Sequence, residues 1–396
     1  MLVRTGFGRD VHLGYCTNVH PGEGLAALHD LLRRDVAPVA RVVAPALPFG
    51  LGLRLGNAAA LALSTDADAL ARLRALMDEL GMYVFTVNAF PYGDFAADSV
   101  KDLVYQPDWR DEERRLYTMR VAEAIVSLPG PGHRTISTVA GGFKPQSTGG
   151  LDNAERAREM SRELVKTAEA LARLSDRTGV HVRLCLEPEP FTTLETTDEV
   201  LDFFTRHVFP AGEATREHLG LCYDCCHQAV EFEDAPRALR ALSDAGIPIG
   251  KVQISSALHL SSPGIQAHRD ALLAFAEPRY LHQTCARLPD GRVLRALDLP
   301  LLEQPSPEWL SAEAWRCHFH VPIGLTGEGC LESTRADWEA AVETLAAAGS
   351  CDHFEVETYS FHVMPEATRA RFGSVSESII EELRTAREVL CRSTTA

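Results

Sequence analysis

The sequence predicts a single (β/α)8 barrel, and three observations carry that prediction. Eight short apolar, β-branched runs alternate with long amphipathic ones. Most of the short runs are continuously apolar rather than alternating, as strands covered on both faces are. Four of them end in residues with oxygen donors, at the strand ends where a barrel keeps its active site. An open doubly wound sheet would share the alternation, but no Gly-x-Gly-x-x-Gly follows the first strand.

Taken in order, the runs predict strands over Val11–Thr17, Leu51–Leu55, Tyr83–Ala89, Arg134–Ala140, His181–Glu187, Gly220–Asp224, Lys251–Ser255 and His353–Thr358. Helix signals fill the gaps. Ser64-Thr65-Asp66 offers caps for a helix running to Leu80, with Gly81 to end it and Leu70, Leu73, Met77 and Leu80 on one face. Asp152 can cap a long helix to Arg177, where Leu164, Ala168, Leu171 and Ala172 recur at helical spacing. Ala336 to Ala348 repeats the pattern, and Gly349 closes it. Between the seventh and eighth strands lies an insertion, 258–320. It holds a helix over Pro263–Phe275, two strand-like runs (Tyr280–Arg287 and Val293–Leu299) joined by Pro289-Asp290-Gly291-Arg292, and a further run over Trp315–Ile323. Asp-Gly between such runs signals a hairpin. The insertion is expected over the barrel mouth, a position that by itself assigns no role. The whole chain, 1–396, reads as one domain, with a polar tail at 392–396.

Composition narrows the function. The chain has 396 residues, 45% hydrophobic and 24% charged, which is ordinary globular composition. Its formal net charge of −16 repels phosphate backbones, so nucleic acid is not expected as a partner. The N-terminal segment is polar, and no apolar run approaches the roughly 20 residues of a spanning helix, so neither a signal peptide nor membrane insertion is expected. The 10 cysteines sit in predicted strands and helices rather than in a loop-rich framework, which suggests reduced thiols and a cytoplasmic location.

The chemistry gathers at strand ends. The fifth strand ends Leu186-Glu187-Pro188-Glu189-Pro190, and the sixth ends Tyr223-Asp224-Cys225-Cys226-His227. The seventh carries Gln253, and the eighth reads Phe354-Glu355-Val356-Glu357-Thr358-Tyr359. Three carboxylates and an amide oxygen meeting from neighbouring strands suit Mn²⁺, Mg²⁺ or Co²⁺, because carboxylates crowded together repel unless a cation relieves them. Glu355 and Glu357 lie on the same face of their strand, so periodicity alone leaves both open, as it does Glu187 and Glu189. Cys222 and Cys225 have zinc-like spacing, but no second pair follows, and buried structural thiols are the simpler reading. His227, one short turn past Asp224, is placed to touch substrate. His318 and His320 share a face of their run, and His320 is a candidate additional ligand or acid/base. Asn18, His20 and Glu23 cluster after the first strand, and Asn88, Phe90 and Tyr92 after the third. Either group could line a polar and aromatic pocket or simply cap loops.

These strand-end motifs resemble the xylose-isomerase-like superfamily of sugar isomerases and epimerases. Its ketose 3-epimerase branch resembles this chain at Leu186-Glu187-Pro188, at Asp224 and His227, and at Glu357-Thr358-Tyr359. The resemblance implies one divalent ion (Mn, Mg, Co or Zn) held by Glu187, Asp224, Gln253 and Glu357, with Glu187 and Glu357 as the catalytic pair. It also implies that His227 and Glu195 contact substrate, with Asn18, His20, Asn88 and Phe90 around it. The chain departs from the family at the seventh strand, where Gln253 stands in place of a histidine; His320 could compensate. The segment His12 to Glu23, together with Lys251 to Leu258, closely resembles the EboE group of metabolite traffic proteins. That group is associated with a bacterial gene cluster for making or exporting a small metabolite. The implied activity is metal-dependent isomerisation or epimerisation of a sugar, polyol or cyclitol. The rivals are a metabolite-binding protein without turnover and a metal phosphodiesterase like the superfamily's endonuclease branch. Barrels of this kind often form homodimers, and no interface is legible in the sequence.

Overall fold

The computed structural model describes residues 1–144 and 153–393. Its main sheet contains eight parallel barrel strands: Asp10–Tyr15, Phe49–Arg54, Met82–Asn88, His133–Val139, His181–Glu187, Leu219–Asp224, Ile249–Ile254 and His353–Val356. Neighbours pair in chain order from the second to the seventh, the eighth lies between the seventh and the first, and a parallel bridge from Cys16 to Gly52 joins the first to the second. A short N-terminal strand, Leu2–Arg4, adds antiparallel to the first. The fold is therefore an α/β TIM barrel. All eight predicted strands are present, with ends displaced by no more than two residues.

The helices form where the caps predict. Asp66 accepts from the amides of Asp68 and Ala69 at the start of Ala67–Leu80, and Gly81 ends that helix in the left-handed region. Leu73 and Met77 face the core, with Leu70 and Leu80 partly covered. The long helix runs over Asn153–Thr178 and buries Leu164, Ala168 and Leu171. Its predicted cap, Asp152, lies outside the described residues, as do the last residues of the polar tail. Arg335–Ala348 ends at Gly349, again left-handed.

The barrel interior is not wholly apolar. Lys251 and Glu355, both fully buried, form an ion pair of 2.5 Å inside it. Space for that pair comes from Gly52: a Cβ there would overlap the Glu355 carboxylate.

The insertion is a second sheet rather than a loop. Its six antiparallel strands run in the order Val293–Ala296, Thr284–Arg287, Ala314–Val321, Ser256–Leu260, Leu331–Ser333, Gly327–Glu328. The Asp-Gly hairpin forms as expected, with Arg287 opposite Val293 and Gly291 at φ +86°. The helix is shorter than predicted, Gln266–Leu273. The unit is also longer than 258–320. Ser256–Leu260 continues almost directly from the seventh strand, and Leu331–Ser333, too short to signal itself in sequence, pairs on its far side.

Candidate metal centre at the barrel mouth

Glu187, Asp224 and Glu357 stand at the C-terminal ends of the fifth, sixth and eighth strands, and all are buried. One oxygen from each lies within 4.8 Å of the others. Glu187 Oε2 and Asp224 Oδ2 have no hydrogen-bond partner. Burial pushes the Glu187 and Glu357 carboxyls well above the usual range, and the neighbouring carboxylates push them further. Burial also acts on Asp224, but His227, His320, the His227 amide and the Ser255 hydroxyl outweigh it and hold that group low. Asn18 and Asn88 donate to Glu357 Oε1 at 2.8 and 3.0 Å, which fixes the carboxylate plane.

Three imidazoles flank this cluster. His227 Nδ1 lies 3.0 Å from the Pro188 carbonyl, His320 Nδ1 3.0 Å from the Glu357 carbonyl, and His318 Nδ1 2.7 Å from Gln283 Oε1. A carbonyl oxygen only accepts, so each Nδ1 is the donor and each Nε2 carries a lone pair; that of His318 also lies 3.3 Å from the Tyr359 hydroxyl. Gln283 is oriented for this, because its Nε2 donates to Tyr105 Oη at 2.8 Å and Glu189 Oε1 at 2.9 Å. The Nε2 atoms of His227 and His320 each lie 3.1 Å from that of His318. Burial lowers all three histidines, His227 to about 4, so they are neutral near pH 7. Lone pairs facing one another beside three carboxylates fit a divalent cation, which both sets of donors can hold. Asp224 and His320, with His227, also bring donor atoms within 4.8 Å of one another.

These groups open into a small cavity of about 50 Å³ at the barrel mouth. Asn18, Asn88, Phe90, Glu187, His227 and Glu357 line it, so the structure brings these predicted residues together. It does not bring in Glu195, whose carboxylate binds Lys144 at 2.5 Å and Arg295 at 3.2 Å. Nor does it bring in His20, which contacts Tyr15 Oη at 3.0 Å and lines a separate hollow with Glu23. Gln253 is buried beside Asp224, but its oxygen accepts from the Cys222 thiol at 3.2 Å. His320 instead groups with Asp224 and His227.

The insertion has a direct part in the site. Strand Ala314–Val321 carries His318 and His320, and Tyr280 and Leu281 line the cavity. Phe95, Tyr280 and Tyr359 meet as a roof, with ring centres 4.9 to 5.0 Å apart. Sequence reasoning missed Tyr105 and Gln283, which carry no motif. Lys251 did carry a signal, as a lone cation within an apolar strand.

The family profile described as xylose isomerase-like TIM barrel matches residues 54–373. No curated protein matches the chain. Among solved structures, a xylose isomerase-like TIM barrel protein from Mycobacterium smegmatis, in complex with magnesium, is 11% identical, with 96% of each chain covered and a TM-score of 0.50. A xylose isomerase domain protein from Planctomyces limnophilus is 15% identical, covering 89% of this chain and 92% of that one, with a TM-score of 0.47. The probable 3-DHS dehydratase AsbF of Bacillus anthracis is 13% identical, covering 94% and 98%, with a TM-score of 0.48. At such identities the likeness shows the fold alone.

Proposed function

The chain belongs to the xylose isomerase-like TIM barrel family, and from that premise we propose that it is a divalent-metal-dependent isomerase or epimerase. Its substrate would be a small polyhydroxylated carbonyl compound: a keto-sugar, oxidised polyol or cyclitol. One observation carries the reading. Three buried carboxylates share a space small enough for a single ion, and two of their oxygens have no partner.

A cation bound there would supply Lewis acidity, polarising a carbonyl and making the neighbouring C–H more acidic. Glu187, Asp224 and Glu357 would hold it, with His320 as a fourth donor. One of Glu187 and Glu357 takes the proton from the carbon next to the carbonyl, giving an enediolate, and the other delivers a proton to complete the rearrangement. Asn18 and Asn88 keep Glu357 in place for that step. His227, lining the cavity, orients a substrate hydroxyl, and the aromatic roof excludes water. The ten free cysteines suit a cytoplasmic enzyme. The resemblance of the N-terminal segment to the EboE group suits a bacterial small-metabolite pathway.

The test pairs metal analysis of the purified protein with exchange of solvent deuterium into candidate ketoses and cyclitols. Metal-dependent exchange at one carbon is the expected result. Ligand binding without exchange would make the protein a carrier. The imidazole cluster favours one other reading, a metal phosphodiesterase, since it offers more nitrogens than one ion needs. Hydrolysis of a phosphodiester in Zn²⁺, without deuterium exchange, would establish that reading instead.

A further inference from the structure

The opposite end of the barrel holds a second set of histidines that the proposed reaction does not use. His12, His133, His181 and His353 stand at the starts of the first, fourth, fifth and eighth strands, and His218 directly precedes the sixth. Their rings run in contact across the base. His218 stacks on His181 at 4.7 Å, His181 meets His133 at 5.1 Å, and His133 stacks on His353 at 4.9 Å. The fourth and eighth strands lie on opposite sides of the barrel, so the last contact spans its floor. Asp352 lies against that contact. Its Oδ1 is 3.8 Å from His133 Nδ1 and 3.9 Å from His353 Nε2.

The protonation pattern of His353 is readable. Thr135 Oγ1 donates to Thr86 Oγ1 at 2.8 Å, so its lone pairs accept from His353 Nδ1 at 3.0 Å. His353 Nε2 then carries a lone pair. It belongs to a side chain 1% exposed, it has no hydrogen-bond partner, and it faces a carboxylate. His133 Nε2 is likewise buried without a partner. Two acceptors aimed at each other repel unless a cation lies between them. One donor atom from each of His133, Asp352 and His353 falls within 4.8 Å of the others. Ligands around a tetrahedral Zn²⁺ sit about 3.3 Å apart, and the two separations from Asp352, 3.8 and 3.9 Å, exceed that by about half an ångström. Asp352 and His133 are partly open to solvent, which supplies an entry path and a water for the fourth position.

We propose that His133, Asp352 and His353 form a transition-metal site, of the kind that takes Zn²⁺, at the floor of the barrel. Two imidazoles and one carboxylate favour Zn²⁺ or Co²⁺ over Mg²⁺, which prefers an all-oxygen shell. The fourth and eighth strands, joined through such an ion, would be tied at the end of the barrel remote from the mouth, where fixed groups serve stability.

The experiment strips the full-length protein with chelator and titrates Zn²⁺ and Co²⁺ into four forms: unaltered, E187Q/D224N, H133Q and D352N. The expected result is one equivalent of Zn²⁺ that E187Q/D224N keeps and that H133Q and D352N each lose, with a tetrahedral Co²⁺ spectrum and a raised melting temperature on loading. Circular dichroism of each form confirms folding, and the unaltered protein against D352N gives the same answer if the double variant misfolds. As much Zn²⁺ held by D352N and H133Q as by the unaltered protein, or no Zn²⁺ held by a folded E187Q/D224N, overturns the proposal. A failure of the mouth site would show differently, as no loss of metal on E187Q/D224N substitution.

Discussion

Glu187 and Glu357 sit in the mouth with raised affinity for protons, and that sets how the site responds to pH and to substitution. In the metal-free protein both carboxyls are pushed up by burial and by each other, so they hold protons where an exposed glutamate would not. A metal must displace those protons. Affinity should therefore tighten as pH rises, with protons released on binding. Calorimetry in buffers of different ionisation enthalpy measures that release, and pH-independent affinity with no release would contradict it. Glu187→Gln and Glu357→Gln should each lower turnover by at least about 100-fold, the usual contribution of a positioned acid or base, while the far-ultraviolet spectrum stays unchanged. Near-normal turnover in both would remove the proposed roles. Glu187 and Asp224 were legible in the sequence because each ends an apolar run. The choice of Glu357 over Glu355 was not legible by periodicity, since the two share a face. Depth along the barrel separates them: Glu355 is spent on Lys251, and Glu357 reaches the mouth.

At the scale of elements, the site depends on a strand that does not belong to the barrel. Ala314–Val321 is held on one edge by Ser256–Leu260 and on the other by Thr284–Arg287. Arg316 pins it by reaching the Ala229 carbonyl at 2.7 Å and Asp337 at 3.2 Å. Arg316→Ala should loosen the strand that delivers His318 and His320. The expected result is metal affinity weakened by about 10-fold, or roughly 1.4 kcal/mol, with partial recovery in Arg316→Lys; unchanged affinity would show that the sheet alone holds the strand. The hairpin was foreseeable from its Asp-Gly turn. The position of His320 at the metal cluster was not, because it follows from pairing between Ser256–Leu260 and Ala314–Val321, whose partners are more than fifty residues apart.

For the whole molecule, the buried Lys251–Glu355 pair joins the seventh and eighth strands beneath the site. Neither member is exposed, so removing one strands the other as an unpaired charge in the barrel interior. Lys251→Met should cost about 3–5 kcal/mol of stability, read from the denaturant midpoint, and Lys251→Met with Glu355→Met together should cost much less. Equal losses in the single and double variants would mean that the pair is not the source of the effect. Among the described residues, no helix is long and apolar enough to cross a membrane.

The order of strands and helices, the caps that bound them and the strand-end carboxylates were determined by the sequence alone, because each depends on residues within about one turn or one pleat of each other. Tertiary structure decided the rest. It set Glu195 and His20 apart from the cavity, brought His318 and His320 to it, and lined up histidines from distant strands across the floor. Those outcomes turn on which strands become neighbours and how far along the barrel each side chain sits, quantities that no local spacing encodes.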